Sequence, residues 1–362
     1  MYFTHRQLVL HTLGVSTIMG AIDSVRLLGT NDVYMPITPM FHVHAWGLPY
    51  VATMLGLKQV YPGRYDPEYL VELWRREKVT FSHCVPTILQ MVLNAKAAQG
   101  TDFGGWKIVI GGSALNRALY EAAKAKGIQL TAAYGMSETG PLVSCAHLND
   151  ELMAGSEDER TTYRIKAGVP GPLVEAAIID AEGNFLPADG EAQGELVLRA
   201  PWLSEGYFNE PQKGAELWEG GWLHTGDVAT LDSMGVIDIR DRIKDVIKTG
   251  GEWISSLDLE DLISRHAAVR EVAVVGIADP QWGERPFALL VIREGHEIGA
   301  RELKEHLKPF VELGHLSKWA IPSQIALVTE IPKTSVGKLD KKRIRVDISE
   351  WQASNSTFLS TL

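Results

Sequence analysis

Apolar and polar positions along this chain follow two rhythms, and the change from one to the other divides it. From Leu8 to Tyr134, stretches with apolar residues three and four apart are interleaved with short runs rich in β-branched and aromatic residues. The spacing predicts helices over residues 70–77, 87–98 and 115–126, and strands over 79–83, 106–110 and 129–133. Strands alternating with helices of this length imply a parallel sheet with helices on its faces. In such sheets ligands sit beyond the carboxyl ends of the strands, which is where segments 111–114 and 134–140 fall. Between residues 168 and 240 the runs become shorter. Turn signals at Glu182-Gly-Asn184, Ala188-Asp-Gly190 and Glu219-Gly-Gly221 separate them, predicting a small antiparallel barrel or sheet. After Asp245 the pattern is α+β, with helices over 256–266 and 300–309 and strands over 271–277 and 287–292.

The expected organisation is therefore an α/β fold in two parts. Residues 1–240 form a large domain, divided into an α/β sheet part (1–164) and a β-barrel part (165–240). A hinge over 241–245 leads to a mobile C-terminal α+β domain, 246–362. Residues 150–160 are charged and lack periodicity, which reads as an exposed loop or a short surface helix, and the final Ser-Asn-Ser-Thr segment reads as a frayed tail.

Composition narrows the function classes. A chain of 362 residues at 45% hydrophobic is enough for two or more packed domains. A net charge of −10 argues against a nucleic-acid partner, and the basic run Lys341-Lys-Arg-Ile-Arg345 reads as a solvated helix face. The only cysteines, Cys84 and Cys145, have no metal-ligand spacing, which excludes a disulfide framework or zinc site and fits a reducing, cytoplasmic setting. His5-Arg6 followed by an apolar stretch over 8–22 has the outline of a secretion signal. However, His11 interrupts the stretch, and Thr4-His-Arg-Gln7 fits a helix capping box, so the segment reads as an amphipathic helix. No stretch reaches the roughly 18–20 uninterrupted apolar residues that a membrane span requires; no transmembrane segment is expected.

Four motifs carry chemistry. Tyr134-Gly-Met-Ser-Glu-Thr-Gly140 places an aromatic ring, hydroxyls and a carboxylate on a glycine-rich turn. Trp222-Leu-His-Thr-Gly-Asp227 ends in a carboxylate, and Asp241-Arg-Ile-Lys-Asp245 leads into Gly250-Gly-Glu-Trp-Ile-Ser255. Pro332-Lys-Thr-Ser-Val-Gly-Lys338 ends in a lysine on a loop of small residues. In this order, from Tyr2 to about Arg345, the chain resembles the adenylate-forming superfamily and looks most like the long- and medium-chain fatty acyl-CoA synthetases. The resemblance implies ATP, coenzyme A and a fatty or related carboxylic acid as substrates, with Mg²⁺. A carboxylate attacks the α-phosphate of ATP to give an acyl-adenylate and pyrophosphate; a thiol then displaces AMP. The first half brings two anions to one phosphorus, so it needs cations and positioned donors. Aryl-CoA ligases, luciferases and carrier-protein acylating relatives share these motifs. The segments 250–255 and 42–46 favour a fatty acyl-CoA synthetase among them.

Residue roles follow from the resemblance. Tyr134 packs against adenine beside Gly135, Ser137 contacts the α-phosphate, and Glu138 holds the Mg²⁺, a metal commonly held by one or two carboxylates plus substrate phosphates. Gly111-Gly112-Ser113-Ala114 forms the adenine-binding edge, and Asp227 accepts both ribose hydroxyls. Arg242 contacts the ribose, Lys244 is the hinge residue, and Gly250 and Gly251 line the pantetheine channel. Lys338 is the adenylation lysine, with Lys333 ranked below it because it opens the loop. Pro39-Met-Phe-His-Val-His-Ala-Trp46 resembles the acyl-pocket wall, with His42 and Trp46 lining an apolar tunnel. Plainer readings stay open for each: a Gly-flanked turn at 134–140, a strand-to-helix turn at 111–114, a hairpin cap at Asp227, a charged linker at Lys244, and core residues at His42, His44 and Trp46.

The same resemblance calls for a Ser/Thr/Gly-rich loop ending Pro-Lys-Gly, expected just before Met1; no such segment occurs in these 362 residues. The expectation is a fragment whose start was placed too late, rather than a gene that has lost its front, with impaired adenylation in the chain alone. The competing function class is a non-catalytic adenylate- or acyl-binding chain, or one half of a split enzyme. A homodimer or a separate N-terminal half is the candidate macromolecular partner.

Overall fold

A computed structural model describes residues 1–21, 26–322, 324–334, 337–354 and 358–360. Two compact units divide the chain, Met1–Ile239 and Arg240–Leu362.

The first unit opens with a helix, His5–Gly20, whose capping box is formed as the sequence suggested. Thr4 Oγ1 accepts the Gln7 N–H at 3.2 Å, and the Thr4 N–H donates to Gln7 Oε1 at 2.7 Å. His11, Val15, Ile18 and Met19 form its buried side. The sheet beside it contains β1 (Val33–Pro36), β2 (Lys58–Gln59), β3 (Phe81–Cys84), β4 (Lys107–Ile110), β5 (Gln129–Gly135), β6 (Leu142–Cys145) and β7 (Val169–Pro170), in the order β2-β1-β3-β4-β5-β6-β7. The pairings from β2 through β5 are parallel; β6 and β7 join antiparallel. Helices Pro67–Glu77, Pro86–Asn94 and Arg117–Ala125 connect the parallel strands.

Period-two alternation along these strands sends neighbouring side chains to opposite cores. Met35, Ile108 and Ile110 join Trp106, Phe103 and Leu119 in one cluster, whereas Tyr34, Phe81 and Val109 join Val15, Met19 and Leu48 in another. Both faces are apolar, so the strands read as continuous hydrophobic runs. Each large side chain buried in this way contributes roughly 1.5–3 kcal/mol relative to exposure.

Element ends shift for identifiable reasons. The strand expected from residue 79 begins at Phe81, because the Val79 N–H closes the preceding helix on Trp74 O at 3.1 Å after Lys78 adopts φ 55°. The helix expected to reach residue 98 ends at Asn94, and Glu68 then receives the Lys96 and Ala97 N–H groups at 2.7 and 2.8 Å. Segment 150–160 holds two short helices, Asp150–Ala154 and Glu157–Arg164, capped by Asn149 and by a Ser156–Glu159 capping box. Downstream, β8 (Glu175–Ile179), β9 (Gly194–Arg199), β10 (Leu223–Leu231) and β11 (Ile237–Arg242) form a four-stranded sheet, β11-β10-β9-β8. The segment expected as a small antiparallel barrel or sheet thus holds this four-stranded sheet.

The second unit is α+β. Its sheet runs β13-β12-β15-β16-β17, from β12 (Ile247–Thr249), β13 (Glu252–Ile254), β15 (Gly283–Ile292), β16 (Gln324–Leu327) and β17 (Phe358–Ser360), with β14 (Val269–Asp279) paired to β15. Helices Ser256–Ser264 and Ala300–Glu312 bury Leu259, Ile263, Leu303 and Leu307 in one cluster with Val274 and Leu290. The Lys341–Ser354 helix places Ile344 and Ile348 in a second cluster with Val275 and Leu289. The basic run at its start is only partly a solvated face. Lys342 and Arg343 are exposed, but Lys341 retains 10% side-chain exposure against Glu260, and Arg345, on the same side one turn later, pairs with Asp245. Among the described residues, no helix is long and apolar enough to cross a membrane.

Candidate active site

The turn after β5 is held by its own residues. Thr139, fully buried, accepts the Met136 N–H at 2.9 Å, donates to Met136 O at 3.0 Å and also bonds Pro141 O. A single 3₁₀ turn, Ser137–Thr139, presents Ser137 and Glu138. Gly135 has no room for a side chain, because a Cβ there would lie 1.9 Å from Pro141 O. The Glu138 carbonyl is tied to the Ser204 N–H at 2.8 Å.

Two sequence motifs meet here. Tyr134 Oη donates to Asp227 Oδ2 at 2.5 Å across 93 residues of sequence. Asp227 is 7% exposed and follows Gly226 at φ 69°, where the pairing of β10 with β9 shifts register. The bulge re-aims the chain so that a strand residue faces the turn. Glu195 braces it from β9: one carboxylate oxygen accepts the Gly226 N–H and the other meets His224 Nδ1, both at 2.9 Å.

Sequence reasoning missed Tyr207. Its hydroxyl donates to Glu138 Oε1 at 2.7 Å, and burial, followed by the neighbouring Glu138, pushes its phenol well above the ordinary range. Tyr207 therefore stays a neutral donor. Its only sequence signal is its place after Gly206, 69 residues from Glu138. A cavity of about 360 Å³ lies beside this pair, lined by Met136, Tyr207, Lys213, His224 and Gly226 among others. The second Glu138 oxygen accepts no hydrogen bond among the described residues. A lone carboxylate with one oxygen fixed and the other open fits a metal held jointly with substrate phosphates. No group of three His, Cys, Asp or Glu in the described residues forms a metal site by itself.

The edge at 111–114 follows β4. Gly111 is buried, Gly112 has φ 80°, and Ser113 and Ala114 are exposed. A Cβ on Gly111 would meet Ala133 O at 2.9 Å and the Trp46 ring at 3.4 Å, so the glycine admits the indole. Trp46 is 3% exposed, with its ring 5.0 Å from that of His83. It ends a left-handed turn in which Val43, His44, Ala45 and Trp46 all have φ between 48° and 61°. Such backbone costs roughly 1–2 kcal/mol per residue for L-amino acids and collects at functional sites. His42 is half-buried, and exposed His44 meets Tyr50 Oη through Nδ1 at 3.1 Å. Cys84 and Cys145 are buried free thiols pushed up to about 12 by burial, which removes them as nucleophiles.

The remaining predicted residues belong to the second unit. Arg242 and Lys244 are exposed, and the segment turns tightly, with the Asp245 and Val246 N–H groups on Arg242 O at 2.8 and 2.9 Å. Gly250 and Gly251, at φ 58° and 87°, join β12 to β13, and Gly250 N–H donates to Trp282 O at 2.9 Å. The Lys338 carbonyl accepts the Thr334 N–H at 2.8 Å, and its N–H donates to Thr334 Oγ1 at 3.2 Å. Ser335 and Val336 of that motif lie outside the described residues. Lys333 is engaged with Glu271 at 2.6 Å.

The family described as AMP-binding enzyme matches residues 1–208, and the AMP-binding enzyme C-terminal domain matches residues 258–338. The chain is 42% identical to a long-chain-fatty-acid–CoA ligase of Thermus thermophilus over 95% of its own length and 62% of that protein's. It is 38% identical to a 3-methylmercaptopropionyl-CoA ligase of Ruegeria lacuscaerulensis over 96% and 63%. The solved structure of the amide bond synthetase McbA from Marinactinospora thermotolerans superposes with a TM-score of 0.81 at 26% identity, covering 94% of this chain and 65% of that one. This chain thus spans less than two thirds of the length of the relatives it matches.

Proposed function

The chain belongs to the AMP-binding enzyme family, and from that membership we propose that the protein activates a fatty or related carboxylic acid as its adenylate and transfers the acyl group to coenzyme A. The observation that carries this reading is the 2.5 Å hydrogen bond from Tyr134 to Asp227, which brings together the two motifs that the resemblance assigns to the nucleotide. Asp227 offers a carboxylate to paired ribose hydroxyls, Tyr134 and the 111–114 edge flank adenine, and Ser137 reaches the α-phosphate. Glu138, aimed by Tyr207, would hold Mg²⁺, which when bound neutralises phosphate charge. In the first half-reaction the acid's oxygen bonds to the α-phosphorus as the bond to the departing pyrophosphate breaks. Lys338 supplies positive charge to both anions. In the second, the thiol gives up its proton to solvent and its sulfur bonds to the acyl carbon as the bond from that carbon to the phosphate oxygen breaks, AMP leaving with the electron pair, with Gly250 and Gly251 admitting the pantetheine arm. Arg242 contacts the ribose and Lys244 is the pivot for the second unit. The joint presence of Glu138, Asp227, Arg242 and Lys338 favours an enzyme over a passive adenylate binder.

The 362 residues contain no Pro-Lys-Gly phosphate loop, so the chain by itself is expected to perform the second half-reaction better than the first. Supplying preformed fatty acyl-AMP and coenzyme A to the folded chain should yield thioester and AMP. Asp227→Ala should lower that yield at least tenfold, a loss of about 1.4 kcal/mol or more of transition-state stabilisation. No thioester from verified folded protein, or an undiminished yield from the variant, would count against the site.

The packing of Trp46 on Gly111 supports its assignment to the inner wall of the acyl pocket. Trp46→Ala should raise the ratio of kcat/KM for hexadecanoate over octanoate by roughly tenfold, about 1.4 kcal/mol of differential binding. An unchanged ratio would return Trp46 to a purely packing role.

A further inference from the structure

The Lys341–Ser354 helix starts three residues after Lys338, and its side chains connect to segment 241–245 twice, directly from Arg345 and through Ser256 from Lys341. Lys341 Nζ lies 2.8 Å from Glu260 Oε1 and donates to Ser256 Oγ at 2.5 Å. Ser256 relays the contact, its hydroxyl and its N–H both donating to Asp241 Oδ2 at 2.6 Å. Asp241 Oδ1 in turn accepts the Arg242 N–H at 2.8 Å. Asp241 and Ser256 are 2% and 0% exposed. One turn along the helix, Arg345 pairs with Asp245 Oδ1 at 2.7 Å and donates to Lys244 O at 3.4 Å. The approach to Asp245 is off the hydrogen-bonding direction, so that contact is an ion pair.

The return arm of the Lys338 turn is fastened to the same helix. The Asp340 N–H reaches Pro332 O at 2.9 Å, and the Ile344 N–H reaches Asp340 O at 3.0 Å. Ile344 and Ile348, buried under the sheet, fix the helix rotation that aims Lys341 and Arg345 back at residues 241–245. Burying an ammonium costs several kcal/mol unless its partners are well placed, so such a group contributes little net stability, and a specifying role is its best-attested use.

We propose that Lys341 and Arg345 are positioning residues that clamp the Lys341–Ser354 helix to segment 241–245, so that the Lys338 turn and that segment keep one fixed geometry. The consequence for adenylation rests on the assignment of Lys338 given above; the clamp itself does not.

Hydrogen exchange on the folded protein reads the clamp without substrate. Arg345→Ala should accelerate exchange at the Asp245 and Val246 amides and also at the Gly337 and Lys338 amides, each by roughly tenfold or more, with the β14–β15 ladder unchanged. Ser256→Ala breaks the relay while leaving every charge in place, and should do the same at Arg242 and the Lys338 turn. Acceleration confined to one of the two segments, or spread evenly over the second unit, would overturn the proposal. Lys341→Met should lower the kcat of acid-dependent pyrophosphate exchange about tenfold with KM for the acid within about twofold, and Arg345→Lys should recover most of the Arg345→Ala loss. A Lys341→Met loss carried by KM, or by the fraction of folded protein, would reduce the clamp to simple packing. Should the protein show no pyrophosphate exchange, the Lys338 assignment fails while the hydrogen-exchange pattern still decides the clamp.

Discussion

Replacing Lys338 by alanine should slow acyl-adenylate formation by roughly 100- to 1,000-fold while leaving thioester formation from supplied acyl-adenylate within about threefold, the range seen when one preorganised donor to a developing charge is removed. A carboxylate approaching a phosphate meets like charge, and an ammonium placed between the two lowers the barrier only if it is already positioned. In the turn from Thr334 to Lys338, two hydrogen bonds hold the lysine's backbone. Lys333 is the natural control. It opens the same turn but is occupied by Glu271 at 2.6 Å, so Lys333→Ala should change either half-reaction by less than about threefold. Acid-dependent pyrophosphate exchange and thioester release from acyl-adenylate separate the two steps. Equal losses in both would mean that Lys338 serves binding or folding rather than adenylation.

Gly135→Ala should be among the most damaging single methyls in the first unit. Its Cβ would sit 1.9 Å from Pro141 O, 2.6 Å from Pro141 C and 3.2 Å from Leu142 Cα, all backbone atoms that cannot rotate away. Relief requires opening the junction of β5 and β6, where the pairing already shifts register between Tyr134 and Gly135. Overpacking of this kind costs about 1–3 kcal/mol and at times more. For a unit of this size that lowers Tm by several degrees, at roughly 2–4 °C per kcal/mol. Tyr134, Ser137 and Glu138 sit at the same junction, so AMP affinity should fall at least about tenfold as well. Gly299→Ala, where an added Cβ meets nothing within 4 Å, should shift Tm by less than about 2 °C. Thermal denaturation beside equilibrium AMP binding checks both; a Gly135→Ala protein indistinguishable from Gly299→Ala would show that the close approach does not exist in solution.

Signals confined to a few neighbouring residues were legible in the sequence. The Thr4–Gln7 capping box formed as written, and so did the alternation of helices and strands that builds the parallel sheet. The Ser156–Glu159 box was equally readable, although the charged stretch around it obscured the helix it begins. Segment ends shifted where a distant carboxylate intervened, as Glu68 does at Lys96 and Ala97. The left-handed turn at 43–46 had no signal, because β-branched Val43 and bulky Trp46 are poor residues for that backbone and only surrounding packing sustains it. The basic run at 341–345 misled for a related reason. Helical spacing puts Lys341 and Arg345 on one side, but whether that side meets water or Glu260 and Asp245 depends on elements 81 and 100 residues earlier.

The sequence by itself determined the family, the class of fold and the order of the motifs, since residue type and spacing carry that information without packing. Tertiary structure alone decided which side chains act together. It joined Tyr134 to Asp227, set Tyr207 against Glu138, braced Gly226 with Glu195 and turned Lys341 inward to Ser256. A hydrogen bond is made or lost within a few tenths of an ångström. That precision comes from the close packing of strands and helices brought together across the chain, and no local pattern encodes it.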